Sequence, residues 1–258
     1  MATTIAAKTT TAKEIEATLL GKRDERQSQA CLRFFKTGKG QYGEGDQFLG
    51  IRNPQVRGVV REVWQATTLA EAARLVRNPW HEVRLGGLLI MAKQMEQAVR
   101  QRNEGEMQAI VEQYLSLHAH VNNWDLVDLS APSVMGYWEA LHPEDKRMDD
   151  WMVASCSTLW QRRIAMVSTW RLVRVGRYRE LTRRARALLT SKEDLLHKAA
   201  GWMLRELGKN GGMAELRAFL GAHAAAMPST MLRYAIEKLP EPERQRWLQA
   251  RRRKARDF

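Results

Sequence analysis

The sequence has few cysteines and no long hydrophobic run. Cys31 and Cys156 lie far apart in apolar surroundings without C-x-x-C spacing, which argues against a disulfide framework or a thiolate metal site. No apolar run approaches the roughly 20 residues that a membrane helix needs, and the opening residues contain no continuous apolar signal region. These absences predict a globular protein of the reducing cytoplasm with no membrane segment.

Motifs for metal-dependent, nucleophilic and nucleotide-dependent catalysis are also missing. His118 and His120 are two residues apart, so they cannot share a helix face as metal ligands, and no H-E-x-x-H motif occurs. No serine or cysteine stands in a nucleophile elbow. The glycine-rich stretch 36–51, KTGKGQYGEGDQFLGI, lacks the spacing and the preceding strand of a P-loop. We therefore predict no metal and no cofactor, and interpret 36–51 as an ordered surface loop whose Lys36 and Lys39 contact phosphate.

What the sequence does contain is an excess of positive charge. Lys and Arg number 42 against 29 Asp and Glu, which gives a net charge of +13 and an isoelectric point near 10.1. Residues 160–187 hold nine arginines and a single acid, Glu180. Arginine pairs with phosphate oxygens through two N–H groups and releases counterions, so a face built this way favours nucleic acid as the partner. A generally cationic surface without a specific anionic partner is the alternative.

Helical periodicity extends through nearly the whole chain. Apolar residues recur at intervals of three and four, for example at Leu69, Ala72, Ala73 and Val76, and no stretch alternates as a half-buried strand does. Short breaks rich in Gly, Pro and Asn separate helices of about 10 to 18 residues. The sequence therefore predicts an all-α protein built from a series of helical hairpins.

Three segments match each other at a fixed interval. Arg163, Lys198 and Arg233 each lead an apolar helical run and are 35 residues apart, and one further interval back along the chain is Asp128. Such a period is typical of stacked helix pairs, whose equivalent positions line one concave surface. We expect residues 1–258 to form a single helical-repeat solenoid with a concave basic face and a basic C-terminal tail at about 251–258. Chance register among amphipathic helices is the alternative.

A helix is predicted to begin within the stretch HVNNWDLVDLS, residues 120–130. Asn122 or Asn123 is suited to cap it, and Asp125 lies in its first turn, where a carboxylate interacts favourably with the positive helix end. These positions account for Asp125 as a structural residue.

Asp128 requires a different explanation. It lies four residues after Trp124, so the two side chains share a helix face, and the 35-residue interval places it in register with Arg163. An acid in a row of cations repels phosphate and is a poor choice for DNA affinity alone. Either Asp128 forms a salt bridge to Arg163 that only organises the surface, or its carboxylate faces a positive charge that develops on a nucleic-acid substrate.

Five stretches distributed over most of the chain are informative together: FFKTGKGQYGEGDQFLGI (34–51), NNWDLVDLSAP (122–132), WQRRIAMVSTW (160–170), HKAAGWMLRELGK (197–209) and MPSTMLRYAIEKLP (227–240). In this combination the sequence resembles the AlkD family of DNA alkylation repair glycosylases, which are built from HEAT-like helical repeats. The two ends of the chain show no such match.

The resemblance implies an enzyme that excises positively charged N3- and N7-alkylated purines from DNA. By motif, the catalytic aspartate of the family matches Asp128, its two site tryptophans match Trp124 and Trp202, and its site arginine matches Arg163. An alkylated purine cation is a good leaving group, so its release needs no strong general acid. Cleavage generates an oxocarbenium-like sugar, whose charge Asp128 would stabilise while it positions or deprotonates the attacking water.

The tryptophans and cations would then hold the lesion and the DNA backbone. Trp124 and Trp202 would present aromatic faces to the sugar or the cationic base, and core packing is the alternative for both. Arg163 would bind a phosphate near the lesion, with Lys198 and Arg233 following the backbone at neighbouring repeats. A shallow solenoid offers no obvious deep pocket, so the resemblance suggests that the lesion stays near the base stack rather than entering a pocket.

The expected partner is double-stranded DNA carrying alkylated purines. We expect a monomer in the cytoplasm that associates with the nucleoid when it acts on DNA. Two alternatives stay open: a non-catalytic scaffold that uses the same face to bind damaged or branched DNA, and a helical repeat that binds protein.

Overall fold

All the regular secondary structure that can be described in this protein is helical. The computed structural model describes the backbone of residues 9–254 and the side chains of 9–251, so the predicted basic tail at about 251–258 lies largely outside the described residues. No β-strand occurs between residues 9 and 254, where an isolated bridge joins Gln47 and Trp80. None of the helices in this range combines the length and apolar character needed to span a bilayer. The predicted all-α fold is confirmed.

The chain divides into two compact units, one ending at Val134 and the other beginning at Met135. The α-helices of the first unit are α1 (Ala12–Leu20), α2 (Glu25–Phe34), α3 (Asn53–Val63), α4 (Leu69–Val76), α5 (His81–Gln101), α6 (Glu104–Ser116) and α7 (Trp124–Ser130). Short 3-10 turns occupy Trp64–Ala66 and His118–His120. The α-helices of the second unit are α8 (Met135–Leu141), α9 (Arg147–Val153), α10 (Leu159–Arg174), α11 (Arg179–Ala187), α12 (Asp194–Lys209), α13 (Met213–His223), α14 (Ser229–Ala235) and α15 (Glu241–Lys254). One solenoid domain over 1–258 stays a prediction.

Within each unit most of the helices lie in two layers. In the first unit α5 packs between α3 and α7 in one layer, and α1, α4 and α6 form the other. In the second unit α8, α10, α12 and α14 pack in succession, while α9, α11 and α13 cover them. Each helix pair therefore buries its apolar face against neighbouring pairs, as expected of a helical repeat.

The helix positions agree with the predicted period. Four helices, α7, α10, α12 and α14, begin at Trp124, Leu159, Asp194 and Ser229, each 35 residues after the one before. Helix lengths depart more from prediction. The helix α5 has 21 residues, because residues 81–92 are buried without interruption among five neighbouring α-helices. By contrast, α7, α8, α9 and α14 have 7 residues each.

Gly201 allows α12 and α14 to approach closely. A Cβ atom at this position would lie 2.5 Å from the carbonyl oxygen of Met231 and 2.6 Å from Cβ of Tyr234. Gly201→Ala is expected to lower the free energy of unfolding by roughly 1–3 kcal/mol, because a packed helix contact cannot absorb a methyl group. Gly221→Ala is the control, since no described atom lies within 4 Å of its Cβ position. This substitution is expected to raise the free energy of unfolding by up to about 1 kcal/mol, because alanine favours a helix more than glycine does. Urea denaturation measures both; equal effects at the two sites would contradict the close approach.

Candidate active site

A pocket in the first unit has the predicted catalytic aspartate in its wall. Its volume of about 370 Å³ falls within the range of small-ligand pockets, roughly 300–1,000 Å³. Trp124 and Asp128 both line it from α7, facing α2, the segment before α3 and the start of α5. The wall is mostly apolar. The pocket is partly open to solvent, and the expectation that the lesion stays near the base stack rather than entering a pocket remains a prediction.

Aromatic rings pack around Trp124. Its ring stacks on Phe35 with centroids 5.4 Å apart, and Phe35 stacks in turn on Phe48 at 4.7 Å. Phe34 meets Trp124 edge-on at 5.9 Å and is 65% exposed. Sequence reasoning missed these three phenylalanines as site residues, although all of them belong to the motif at 34–51. They hold the indole of Trp124 against one side of the pocket and leave it half-buried.

A largely buried ionic network forms part of the pocket wall. Nδ1 of His81 is 2.8 Å from Oδ2 of Asp46, and its Nε2 is 2.8 Å from Oδ2 of Asp125. Both ring nitrogens can donate to carboxylates only when the imidazole is protonated. Arg84 also donates to Asp46, as does the Asn123 side-chain amide at 3.0 Å. The sequence offered no indication of this network.

The two carboxylates determine the protonation of His81. Burial alone would lower its pKa, but the charges and hydrogen bonds of Asp125 and Asp46 outweigh burial and raise the pKa of His81 to about 9. Burial would raise the pKa of Asp46, yet the hydrogen bond and charge of His81, together with Arg84, lower that pKa to about 2. His81 and Asp46 are therefore both charged at neutral pH. Among the described residues, no group of three or more His, Cys, Asp or Glu side chains is placed to hold a metal ion.

The network fixes the start of α7. Of the two asparagines proposed as the cap, Asn123 is the one used, and its Oδ1 accepts the backbone N–H of Trp124 at 2.9 Å. Its amide group is bonded to Asp46, while Asp125 in the first turn is bonded to His81. The residues on both sides of Trp124 are thus tied to buried partners, which sets the direction of the helix face that carries Trp124 and Asp128.

The glycine-rich stretch is a surface loop only in its first part. From 46 to 51 all residues but one are buried, which corrects the interpretation of 36–51 as a surface loop throughout. The Glu82 carboxylate accepts the backbone N–H groups of Leu49 and Gly50 at 2.8 Å and of Ile51 at 3.1 Å. Three such bonds satisfy backbone donors that would otherwise be buried without partners.

Lys36 and Lys39 lie in the exposed part of this loop. Lys36 has a left-handed backbone conformation with φ 52, which is uncommon for a non-glycine residue. Their contact with phosphate stays a prediction.

The second unit carries the other predicted site residues. Trp202 on α12 is half-buried. Arg163 on α10 is 4% exposed, and one of its N–H groups donates to a backbone carbonyl at the start of α12. Lys198 forms an ion pair with Asp194 at 2.8 Å, and Arg233 is exposed. The burial of Arg163 restricts the surface it can offer to a phosphate, and the roles of all four residues stay predictions.

The nine arginines of 160–187 do not form one face, contrary to expectation. They are divided between α10 and α11, which belong to different layers, and the connection between them. Several interact within the protein. Arg184 is 2% exposed and paired with Glu139, and the guanidinium of Arg174 lies 3.9 Å from the ring centre of Trp170. Part of the positive charge therefore stabilises the fold.

Comparison with known proteins identifies the family. The model of the DNA alkylation repair enzyme family matches residues 15–239. A solved structure described as a predicted DNA alkylation repair enzyme from Enterococcus faecalis is similar in fold, with a TM-score of 0.64, 16% identity and coverage of 85% of this chain and 97% of that chain. No curated protein matches the sequence significantly. Since the family model spans most of the chain, this protein belongs to the DNA alkylation repair enzyme family and acts on DNA in the repair of alkylation damage.

Proposed function

We propose that this protein is a DNA glycosylase, acting as a monomer, that excises cationic N3- and N7-alkylated purines from double-stranded DNA by hydrolysing the N-glycosidic bond. The observation that carries the proposal is the placement of Asp128 beside Trp124 in the wall of an apolar pocket. A protein that only bound DNA through cations would gain nothing from a carboxylate at this position, because the carboxylate repels phosphate.

Asp128 is suited to stabilise a cationic sugar. Its side chain is half-buried in the mostly apolar wall of the pocket. Solvent screens a charge in such a position less than a charge on an open surface. Such a group stabilises a developing oxocarbenium ion strongly, and it can also orient or deprotonate the attacking water.

One catalytic carboxylate is enough for this reaction. Asp125 also lines the pocket, but its carboxylate is bonded to His81 and is not placed to act as a general acid. Glycosidases that cleave neutral leaving groups need a second carboxyl group to protonate the departing oxygen. A purine that already bears a positive charge does not, so the arrangement fits cationic adducts and excludes neutral ones.

The remaining site residues would hold the substrate. Trp124, and Trp202 in the second unit, would present flat aromatic faces to the sugar or the cationic base. Arg163 would bind a phosphate near the lesion. Lys198 and Arg233, and the loop cations Lys36 and Lys39, would contact phosphates further along the backbone.

Release of free base from defined duplexes tests the proposal. The protein is incubated with a duplex containing one N7-methylguanine, which is cationic, and with the same duplex containing O6-methylguanine, which is neutral. We expect the protein to accelerate release of the cationic base above the rate of the duplex alone, and to leave the neutral adduct in place. Binding to both duplexes without acceleration of release would favour the alternative, a non-catalytic scaffold for damaged DNA.

A further inference from the structure

A basic cleft in the second unit plays no part in the function proposed above. The helices α11 and α13 both pack on α12 and leave between them a cleft of about 600 Å³. Phe219 forms an apolar part of its lining, and its ring centre lies 4.7 Å from that of His223. The polar residues that line the cleft are Lys146, Arg179, Glu180, Thr182, Arg183, Arg186 and His223.

Three arginines form a row along one side of the cleft. Arg179, Arg183 and Arg186 are four and three residues apart on α11, so they share one face of the helix. All three are exposed, whereas Leu181 and Ala185 on the opposite face are buried. Seven residues of helix rise about 10 Å, which is the length of the row.

The acids near this row are already matched by cations. Glu180 accepts a hydrogen bond from Nε of Arg177 at 3.1 Å. Asp149 is shared between Arg183 and the buried Arg184, whose Nε lies 2.9 Å from it. These acids therefore do not cancel the charge at the two ends of the row.

Arg179 and Arg186 occupy those two ends. Neither has an ion-pair partner among the residues whose side chains are described. Lys146, on another side of the cleft, donates to the backbone carbonyl of Pro143 and is also exposed. The cleft thus presents at least three cations whose charge is not matched by a carboxylate.

We propose that this cleft binds the phosphate backbone of a second DNA segment. One DNA strand carries a phosphate about every 3.4 Å of helix axis, and neighbouring phosphates are further apart than this because the strand winds around the axis. A row of about 10 Å therefore spans about two phosphates, which the unmatched Arg179 and Arg186 would contact. The guanidinium fork matches phosphate oxygens in geometry as well as charge. The cleft is larger than a single phosphate ion requires, and the family to which the chain belongs acts on DNA.

The bound segment would be distinct from the lesion-bearing one. The cleft is formed by α11 and α13, whereas Arg163, Lys198 and Arg233 lie on α10, α12 and α14 in the other layer of the same unit. A protein with phosphate contacts on both layers can hold two duplex segments at once, which would keep it associated with DNA between lesions.

A bridging assay tests this inference. An immobilised duplex captures the protein, and retention of a second, fluorescent duplex is measured. The wild type is expected to retain the second duplex, and the double variant Arg179→Glu, Arg186→Glu to lose retention about tenfold or more. The control double variant Lys13→Glu, Arg100→Glu changes the net charge equally at exposed positions of the first unit and is expected to retain it. For Arg186→Ala, a plot of the logarithm of the binding constant for the second duplex against the logarithm of the salt concentration is expected to be less steep by about 0.9, the contribution of one phosphate contact.

Further measurements separate this inference from the proposed glycosylase. The cleft double variant is expected to release N7-methylguanine at the wild-type rate, and Asp128→Asn to bridge duplexes normally even though it fails to release base. The inference is overturned if the wild type does not bridge two duplexes, or if the cleft variant bridges them as well as the control variant does. It is also overturned if the cleft variant loses affinity for the first duplex to the same extent as it loses bridging. A cleft that binds an acidic peptide while duplex DNA fails to displace it would overturn the inference in favour of a protein partner.

Discussion

Asp128→Asn is expected to lower the rate of N7-methylguanine release by about 10²–10³-fold, because the amide keeps the shape of the side chain and loses its negative charge. Groups that stabilise developing charge in a transition state commonly contribute a factor of this size. Affinity for the damaged duplex should be unchanged or higher, since one charge that repels phosphate has been removed. Single-turnover release at saturating protein, together with a binding titration, separates the two effects.

The matched control for this variant is Asp150→Asn, which makes the same chemical change at an exposed position in α9. It should release base at the wild-type rate. Equal losses in the two variants would point to the overall charge of the protein. Undiminished release by a correctly folded Asp128→Asn would remove Asp128 from the chemistry and leave the pocket without a catalytic group.

The helical repeat could be predicted because the apolar pattern that specifies each repeat lies within one short segment of the sequence. The interval that relates Arg163, Lys198 and Arg233 in the sequence recurs in the starts of α10, α12 and α14, since each repeat folds by burying the same apolar positions against its neighbours. The helix carrying Trp124 and Asp128 was predictable for a similar reason. Its cap and first turn lie within a few residues of each other.

The surroundings of Asp128 could not be predicted in the same way. Asn123 and Asp46 are 77 residues apart, and no sequence motif relates them or connects either residue to His81. A charged histidine is also an unexpected residue at the centre of a unit, because ionised side chains are rarely buried unless they are paired. The pocket depends on the same long-range contacts, and so it was missed with them.

The arginine-rich segment shows a different limit of sequence reasoning. Counting charges in 160–187 treats a stretch of chain as a surface, but consecutive helices of a repeat belong to different layers. Arg184 is buried against Glu139, and only part of the segment, including Arg179 and Arg186, is exposed in the cleft of the second unit. Composition therefore identified the class of partner but not where the charge lies.

His81→Gln is expected to lower the free energy of unfolding by roughly 3–5 kcal/mol, the usual cost of removing one partner from a buried ionic cluster. The glutamine is similar in size and neutral, so Asp46 and Asp125 would remain buried without the cation they share; Arg84 would still pair with Asp46. Urea denaturation at neutral pH measures the loss. His120→Gln, at a half-buried position of the same unit, is the control and should change the free energy of unfolding only slightly.

The charge of His81 also makes stability depend on pH in a direction that tests the network. Its pKa is raised from 6.5 to about 9 on folding, so its contribution is fully present below pH 6.5 and is lost as the pH rises through 9. The rise in the pKa of His81 on folding corresponds to about 3 kcal/mol of free energy of unfolding, at about 1.36 kcal/mol for each pKa unit. The free energy of unfolding of the wild type should therefore fall between pH 6.5 and 9, whereas that of His81→Gln should change much less. Parallel curves for the two proteins would mean that the buried imidazole is neutral, and then His81 could not join Asp46 to Asp125 at the start of α7.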